Sequence, residues 1–264
     1  MIGLLGAGMM GEALLAGLVA AGWDPAEIRV AESRAARRDE ITAKYGVITG
    51  TARAAVDGAD AVLVVVKPHD VCAVLDEVSP VLDPRTLIIS IAAGLTCGTL
   101  EAHLPAGQPV VRVMPNTAAL VGEGMAVIAG GTAATPAHLV EAERILGAVG
   151  KTMVIQEADI DAATAVHGSG PAYLMYVAQA MIDAGVLLGL TRAAATALTA
   201  QTFVGSAKLL AESGQHPTVL KENVTSPGGT TAAALRALDD HGVAAAFYDA
   251  MERCYRRSLE IGRA

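Results

Sequence analysis

The chain has 264 residues, of which 53% are hydrophobic but only 3% aromatic, and it carries a net charge of −8 at pH 7. This length allows one large or two modest domains with a sizeable core. The acidic balance, without a basic patch, argues against nucleic acid as a partner.

The N-terminal stretch up to Trp23 is apolar enough to suggest a signal peptide or a membrane anchor. However, the first basic residue is Arg29, and Glu12 interrupts the run. A signal peptide needs a basic start and a membrane span needs a longer apolar run, so we expect neither.

The cysteines and histidines predict neither disulfides nor a metal. The three cysteines, Cys72, Cys97 and Cys254, are odd in number and far apart, and the six histidines are scattered. This usage is typical of a reducing compartment, so we expect a cytoplasmic protein that binds no metal.

The first part of the chain alternates short apolar runs with helical segments. Predicted strands are residues 2–5, Ile28–Ala31, Ala61–Val66, Thr86–Ile91, Val110–Met114, Met125–Ala129 and Thr152–Ile155. Predicted helices follow Gly11 up to about Ala21 and span Arg34–Tyr45, His69–Val78, Thr96–His103 and Pro136–Ala148. This alternation predicts a doubly wound parallel sheet of the Rossmann type.

After Glu157 no strand-like run appears again. The predicted helices are Ala158–Val166, Ala172–Leu188, Arg192–Glu212, Thr230–Asp240 and Val243–Gly262. We therefore expect a dinucleotide-binding domain at residues 1–156 and an all-helical domain at residues 157–264.

A glycine-rich turn joins the first predicted strand to the first helix, and it reads Gly6-Ala7-Gly8-Met9-Met10-Gly11. Such a turn needs one glycine for the bend, one for backbone approach to a pyrophosphate and one for close helix–strand packing. The same pattern would serve a merely tight turn, but its position between a strand and a helix favours dinucleotide binding.

The end of the second predicted strand should meet the ribose of the adenosine half. Glu32 could accept hydrogen bonds from ribose hydroxyls, which favours NADH, whereas Ser33 and Arg34 could hold a 2′-phosphate, which favours NADPH. The two signals conflict, with NADPH somewhat favoured. We interpret Arg37 and Arg38 as part of a solvated helix face.

Two further strand ends carry candidate cofactor contacts. Val66-Lys67-Pro68 ends the central buried strand, and ligands of open α/β sheets lie beyond such ends. Lys67 could serve the nicotinamide or the charge of a substrate, or it could be a surface lysine with a buried stem. Asn116 could contact the nicotinamide side or cap a turn.

A second anion site is suggested by "SPGGTT" at residues 226–231, which runs into a helix with Leu235 and Leu238 on one face. Free backbone N–H groups gather at a helix N-terminus, and such an end suits an anion. Taken alone, the stretch is more typical of an ordinary capped helix than of an anion site.

Several stretches together resemble the pyrroline-5-carboxylate reductase family, in the right order and over nearly the whole chain. They are the glycine turn, Val66-Lys67-Pro68, "SIAAG" at 90–94, "VRVMPNTAALVGEG" at 111–124, "GSGPAY" at 168–173, "DAGVLLGL" at 183–190 and "VTSPGGTTAAAL" at 224–235. The C-terminal motifs are the specific ones, since many dehydrogenases share the first.

The resemblance implies reduction of 1-pyrroline-5-carboxylate to proline with NADPH or NADH. It implies a helical domain that interleaves with that of a second subunit, in dimers that can assemble into decamers. It assigns the substrate carboxylate to Ser226, Gly228, Gly229, Thr230 and Thr231. We further hypothesise that Thr231 orients the imine nitrogen and that Lys67 or Asn116 helps to hold the nicotinamide end.

Two residues depart from the family pattern. His167 stands where a small residue, usually Ser, precedes "GSGPAY", and His69 follows Lys67-Pro68 where Gln is common. These departures leave room for a related cyclic imino acid as the substrate.

Two other functions share the fold. A hydroxyacid dehydrogenase would carry a catalytic Lys or Asp where this chain offers only Ser169. A nicotinamide-nucleotide sensor would need no second anion site.

Overall fold

The computed structural model describes residues 1–262. Within them, eight strands form one sheet of order β3-β2-β1-β4-β5-β6-β7-β8. The strands are β1 Ile2–Leu5, β2 Ile28–Ala31, β3 Ile48–Gly50, β4 Ala61–Val64, β5 Leu87–Ser90, β6 Val110–Met114, β7 Gly124–Gly130 and β8 Gly150–Val154.

The sheet is mostly parallel, which confirms the predicted doubly wound fold. One pair differs, because β7 runs antiparallel to β6. The prediction of an all-parallel sheet is wrong at this point. A parallel crossover needs about a dozen residues or more, and the connection over residues 115–123 is shorter. This segment instead folds into a 3₁₀ turn, Thr117–Val121, and the chain reverses.

Helices cover both faces of the sheet. Those in this part of the chain are α1 Met9–Ala20, α2 Ala35–Tyr45, α3 Ala52–Val56, α4 Pro68–Val78, α5 Cys97–Glu101, α6 Pro136–Leu146 and α7 Ile160–Ala163. A π-helical turn, Thr164–Gly168, follows α7.

The core lies on both sides of the central strands. Leu4 and Leu63 pack on one face with Leu15 of α1, and Leu5 and Val64 pack on the other. Successive side chains of a strand point to opposite faces, so the continuous apolar run of β4 is buried from both sides.

The rest of the chain is helical, with α8 Gly170–Leu187, α9 Arg192–Ser213, α10 Pro217–Asn223, α11 Thr230–Asp240 and α12 Val243–Ile261. Gly185 allows α8 to approach α9, since a Cβ there would lie 3.0 Å from the Cβ of Ala195. Among the described residues 170–253, only Ala195 and Thr199 are buried.

The chain divides into two compact units. One unit contains Met1–Ser169 and the residues from Cys254 onward, and the other contains Gly170–Arg253. This division falls later in the chain than the change of architecture expected at residue 156. No helix in residues 1–262 is both long and apolar enough to cross a membrane.

The sequence analysis did not predict three short elements. They are β3, α3 and α10, each of three to seven residues. β3 contains only three residues and its first side chain is exposed, so it lacks the buried periodicity that marks a strand. The side chain of Thr51 caps α3 by accepting from the N–H of Ala54 at 3.3 Å.

Candidate functional site

A cleft of about 980 Å³ opens at the carboxyl ends of the parallel strands. Its floor is formed by residues that end or follow β1 to β6, as the topology of an open α/β sheet requires. The lining residues are Leu5, Gly6, Gly8, Met9, Met10, Ala31, Glu32, Ser33, Arg34, Arg38, Gly50, Thr51, Ala52, Val65, Val66, Lys67, Pro68, Asp70, Val74, Glu77, Ile91, Ala92, Ala93, Met114 and Pro115.

The glycine turn occupies the middle of this cleft. Gly6 has φ of +106°, a conformation that favours glycine. A Cβ on Gly11 would lie 2.2 Å from the carbonyl oxygen of Gly6, so α1 can pack this closely on β1 only without a side chain there. A Cβ on Gly8 would meet nothing within 4 Å. The predicted roles of Gly6 and Gly11 are thus confirmed in the fold.

The N-terminus of α1 points into the cleft. Gly8 is the N-cap and provides no side-chain hydrogen bond to the first turn. The N–H groups of the first turn therefore keep their hydrogen-bonding capacity, and the helix dipole adds partial positive charge. This arrangement, with open space at Gly8, fits the pyrophosphate of a dinucleotide.

Glu32 and Arg34 form an ion pair at the end of β2. The Nε of Arg34 lies 3.0 Å from Oε1 of Glu32, and the N–H of Ala7 lies 3.3 Å from Oε2. Burial by itself would raise the pKa of Glu32, but hydrogen bonds from the side chain and backbone of Arg34 and from Ala7 lower it to about 2. The carboxylate is therefore ionised, and Arg34 and Ala7 already donate hydrogen bonds to it.

The interpretation of Arg37 and Arg38 as a solvated helix face is wrong. Arg37 donates from Nε to the carbonyl of Ala7 at 3.0 Å, and it pairs with Glu12. Arg38 donates to the carbonyls of Glu32 and Ser33 at 2.7 and 2.9 Å and lines the cleft. Both residues lie in the first turn of α2, which faces back onto the glycine turn.

Glu12 lies behind the glycine turn in a cluster of cations. Lys44 donates to its carboxylate at 2.7 Å, and Tyr45 donates at 2.9 Å. Hydrogen bonds from Lys44 and Arg37 lower the pKa of Glu12 to about 2. The cluster joins α1 to α2 and holds the carbonyl of Ala7 in place.

Lys67 is exposed at the N-cap of α4, between Val66 and Pro68 in the cleft wall. Within residues 1–262 no carboxylate lies at ion-pair distance from its ammonium group. The side chain is thus a cation available to a ligand.

Asn116 does not line the cleft, and its amide is bound to backbone on both sides. It donates to the carbonyl of His167 at 3.1 Å and accepts from the N–H of Met125 at 3.1 Å. One amide N–H is left for another acceptor. Ala7 and Gly11 also lie behind the lining residues, where they shape the turn.

The loop at residues 226–231 lies in the second unit, directly before α11. Gly228 has φ of +67°, and the N–H of Gly229 donates to the carbonyl of Ser226 at 3.0 Å. Gly229 is the N-cap and supplies no capping side chain. Within the described residues, no other group of the chain bonds the hydroxyls of Thr230 and Thr231.

Sequence reasoning missed several lining residues. Thr51 and Ala52 follow the short strand β3, which had no strong pattern of its own. Ala92 and Ala93 lie within the "SIAAG" stretch and also line the cleft. Small apolar side chains carry no chemical signal, so only their position in the sheet identifies them.

Among the described residues, no group of three or more His, Cys, Asp or Glu could hold a metal ion. Cys97 is buried, and burial followed by the charge of Glu157 raises its pKa to about 12. A thiol with such a pKa is inert at neutral pH.

The chain matches two family models. Residues 157–261 match the pyrroline-5-carboxylate reductase dimerisation domain, and residues 1–94 match the coenzyme F420-dependent NADP oxidoreductase domain. A pyrroline-5-carboxylate reductase of Corynebacterium melassecola is 42% identical over 99% of this chain and 98% of that protein.

Solved structures show the same likeness. A pyrroline-5-carboxylate reductase of Coxiella burnetii has a TM-score of 0.95 at 33% identity, covering 100% of this chain and 98% of that one. A pyrroline carboxylate reductase of Plasmodium falciparum, with NADP bound, has a TM-score of 0.88 at 31% identity, covering 99% and 97%.

Proposed function

This chain belongs to the pyrroline-5-carboxylate reductase family, and from that premise we propose that it reduces 1-pyrroline-5-carboxylate to L-proline with a nicotinamide nucleotide. The observation that carries the proposal is 42% identity, over 99% of this chain, to a relative of that name, together with a cleft lined by the glycine turn at the carboxyl ends of the parallel strands.

The proposed cofactor position follows from the cleft. The N–H groups at the start of α1 would bind the pyrophosphate between Gly6 and Gly11. The adenosine half would extend to Glu32, Ser33 and Arg34 at the end of β2. The nicotinamide half would then lie toward Val66-Lys67-Pro68 and the end of β6.

We propose that NADPH is preferred over NADH. Glu32 is already bound by Arg34 and Ala7, so its oxygens are less available to ribose hydroxyls. Ser33, Arg34 and Arg38 lie together at the cleft rim, and their donors would suit a 2′-phosphate.

The substrate carboxylate is proposed to bind at the loop before α11. The backbone N–H groups of Thr230 and Thr231, in the first turn of α11, are free to converge on an anion, and the dipole of α11 favours negative charge there. Ser226 and Thr230 would add hydroxyl donors. Thr231 would orient the ring nitrogen.

When bound, the reduced nucleotide would supply a hydride to the imine carbon and would itself be oxidised, while the imine nitrogen, protonated from water, would become the amine of proline. The chain's task is to hold the two reactants at near-attack distance. Lys67 would attract the negative charge of a ligand. Asn116, which lies behind the cleft wall, would support the nicotinamide end through its bonds to the backbone of His167 and Met125. No strong protein acid is required, because the imine nitrogen is basic.

The matched dimerisation domain supports an oligomer. We propose a homodimer built through the helical unit, with decamers as a further assembly of dimers. The near absence of buried residues in the described residues 170–253 supports this, since an isolated unit of this kind lacks a core. We also propose that the protein is cytoplasmic.

The first test is steady-state oxidation of NADPH and of NADH by the purified protein with 1-pyrroline-5-carboxylate, with proline measured by chromatography. Saturable turnover that yields proline is expected, faster with NADPH. Cofactor binding without turnover would contradict the proposal and favour a related imine or a nucleotide sensor.

The role of Thr231 is tested with Thr231→Val, which keeps the shape but lacks the hydroxyl. We expect kcat/KM to fall about tenfold, the value of one buried hydrogen bond of roughly 1.5 kcal/mol. Thr231→Ser is the matched control and should stay close to the parent. If Thr231→Val and Thr231→Ser have the same kcat/KM, the hydroxyl of Thr231 has no role in the reaction.

A further inference from the structure

His167 lies in the π-helical turn Thr164–Gly168, and both its ring nitrogens face carbonyl oxygens. Nδ1 is 2.6 Å from the carbonyl oxygen of Ala163, and Nε2 is 2.8 Å from that of Met114. The backbone carbonyl of His167 accepts in turn from the amide of Asn116 at 3.1 Å. Two hydrogen bonds thus join the His167 turn to the segment at Met114–Asn116.

A carbonyl oxygen can only accept a hydrogen bond. A neutral imidazole carries one N–H, so it can donate to only one of the two carbonyls. Both contacts are hydrogen bonds only when the ring is an imidazolium with two N–H groups. The surroundings of His167 therefore select the charged ring.

The segment held by His167 is part of the cleft. Met114 is the last residue of β6, and Met114 and Pro115 line the cleft at the end opposite Glu32. The pyrophosphate site at α1 lies between these ends, so Met114 belongs to the nicotinamide end. A Cβ on Gly168 would lie 3.1 Å from Cε of Met114, which shows how closely the two segments pack.

We propose that the imidazolium of His167 is a positioning residue that fixes the nicotinamide end of the cleft through the carbonyl of Met114. The inference rests on the proposed function, because it assigns this end of the cleft to the nicotinamide. It deepens that function by adding a protonation requirement from a residue that departs from the family pattern.

Two acids on the neighbouring elements, Asp161 and Glu157, have partners of their own. Asp161 of α7 accepts from Ser258 of α12 at 2.5 Å. Glu157, in the turn before α7, binds Arg112 of β6 at 3.1 Å and the N–H of Cys97 at 2.6 Å. Strand β7 brings no charged residue to this region. The imidazolium is therefore held by neutral carbonyl dipoles.

The kinetic test compares the parent with His167→Leu, of similar size without N–H groups, and with His167→Gln, which keeps an N–H donor. At about pH 6 we expect His167→Leu to lose about tenfold in kcat with KM for NADPH changed less than about twofold, since only the nicotinamide end is displaced. His167→Gln, whose single amide nitrogen can reach only one of the two carbonyls, should recover part of this loss. Equal kcat for the parent and His167→Leu would overturn the proposal.

A second readout does not depend on the substrate. Nitrogen-15 NMR of the histidine-labelled protein, with the His167 signals identified by their loss in His167→Gln, should show two protonated ring nitrogens at about pH 6. A neutral ring at that pH would overturn the proposal, even if His167→Leu fails to fold. Because it needs no turnover, this result stands if pyrroline-5-carboxylate is not the substrate.

Discussion

At the scale of single residues, charge is balanced locally around the cofactor cleft. The carboxylate of Glu12 lies in the first turn of α1 with Lys44 and Arg37, and that of Glu32 lies at the end of β2 with Arg34. Each acid is kept ionised by its cations, so the N-terminus of α1 keeps its partial positive charge for a ligand.

Glu12→Gln tests the first of these acids. Its pKa is lowered from 4.5 to about 2, so its stabilisation is complete above pH 4.5 and is lost as the pH falls through about 2. At pH 7 we expect the variant to be about 1 kcal/mol less stable in urea unfolding. The difference in the free energy of unfolding between the variant and the parent should become smaller as the pH falls below about 4.5.

Glu27→Gln is the control for this measurement, because Glu27 is an exposed carboxylate in the turn before β2. Its free energy of unfolding should stay close to that of the parent. If the stability difference between Glu12→Gln and the parent grows as the pH falls, the pKa of Glu12 is not lowered in the folded protein.

Glu32→Ala tests the choice of cofactor. Removing the carboxylate frees Arg34 from its ion pair at 3.0 Å, so the guanidinium can turn to a 2′-phosphate. We expect the ratio of kcat/KM for NADPH over NADH to rise severalfold, and Arg34→Ala to lower it. An unchanged ratio in Glu32→Ala would remove Glu32 from cofactor selection.

At the scale of elements, the contact between β1 and α1 sets the shape of the nucleotide site. Gly6 turns the chain at positive φ, and Gly11 lets the first turn of α1 rest against the carbonyl of Gly6. Arg37 of α2 then fixes the carbonyl of Ala7 from behind. The turn is thus held by backbone packing on one side and by a cation on the other.

Gly11→Ala and Gly8→Ala form a matched pair that separates packing from ligand approach. The Cβ added by Gly11→Ala would lie 2.2 Å from a carbonyl oxygen, so we expect a loss of roughly 1–3 kcal/mol in stability. The Cβ added by Gly8→Ala meets nothing within 4 Å, so folding should be unaffected. It would, however, occupy the space proposed for the pyrophosphate.

Chemical denaturation and NADPH titration are the two measurements for this pair. We expect Gly8→Ala to keep the stability of the parent but to bind NADPH at least about tenfold more weakly, a loss of about 1.4 kcal/mol. If Gly8→Ala binds NADPH as the parent does, the pyrophosphate does not lie against Gly8.

At the scale of the whole molecule, the two units differ in what they bury. The sheet unit has a core on both faces, whereas the described residues 170–253 expose many large apolar side chains. Leu198 of α9 is 59% exposed, and α8 exposes Met175, Tyr176 and Leu187. Such a surface is typical of an interface with another subunit.

Leu198→Glu tests this surface. A buried, unpaired charge is costly, so we expect the variant to dissociate at concentrations at which the parent is dimeric. The control is Val140→Glu on α6 of the sheet unit, with 63% exposure, which should leave the oligomer intact. Light scattering after size-exclusion chromatography measures both, and an intact Leu198→Glu dimer would place the interface elsewhere.

Local patterns explain why much of the fold could be predicted. β4 is a continuous run of buried residues, and the spacing of the glycines in the turn reflects its backbone geometry. Both elements can therefore be predicted from only a few consecutive residues. The reversal at β7 was missed, because strand direction depends on how far a connection can reach and not on the strand's own residues.

Local backbone preference and periodic burial were enough to predict the alternation of strands and helices, the glycine turn and the loop before α11 from the sequence. Which polar groups meet depends instead on how the folded elements pack. Arg37 reaches Ala7 across 30 positions, and Asn116 reaches His167 across 51. Such pairs depend on the packing of whole elements, because contacts between distant residues leave no periodic mark on the sequence.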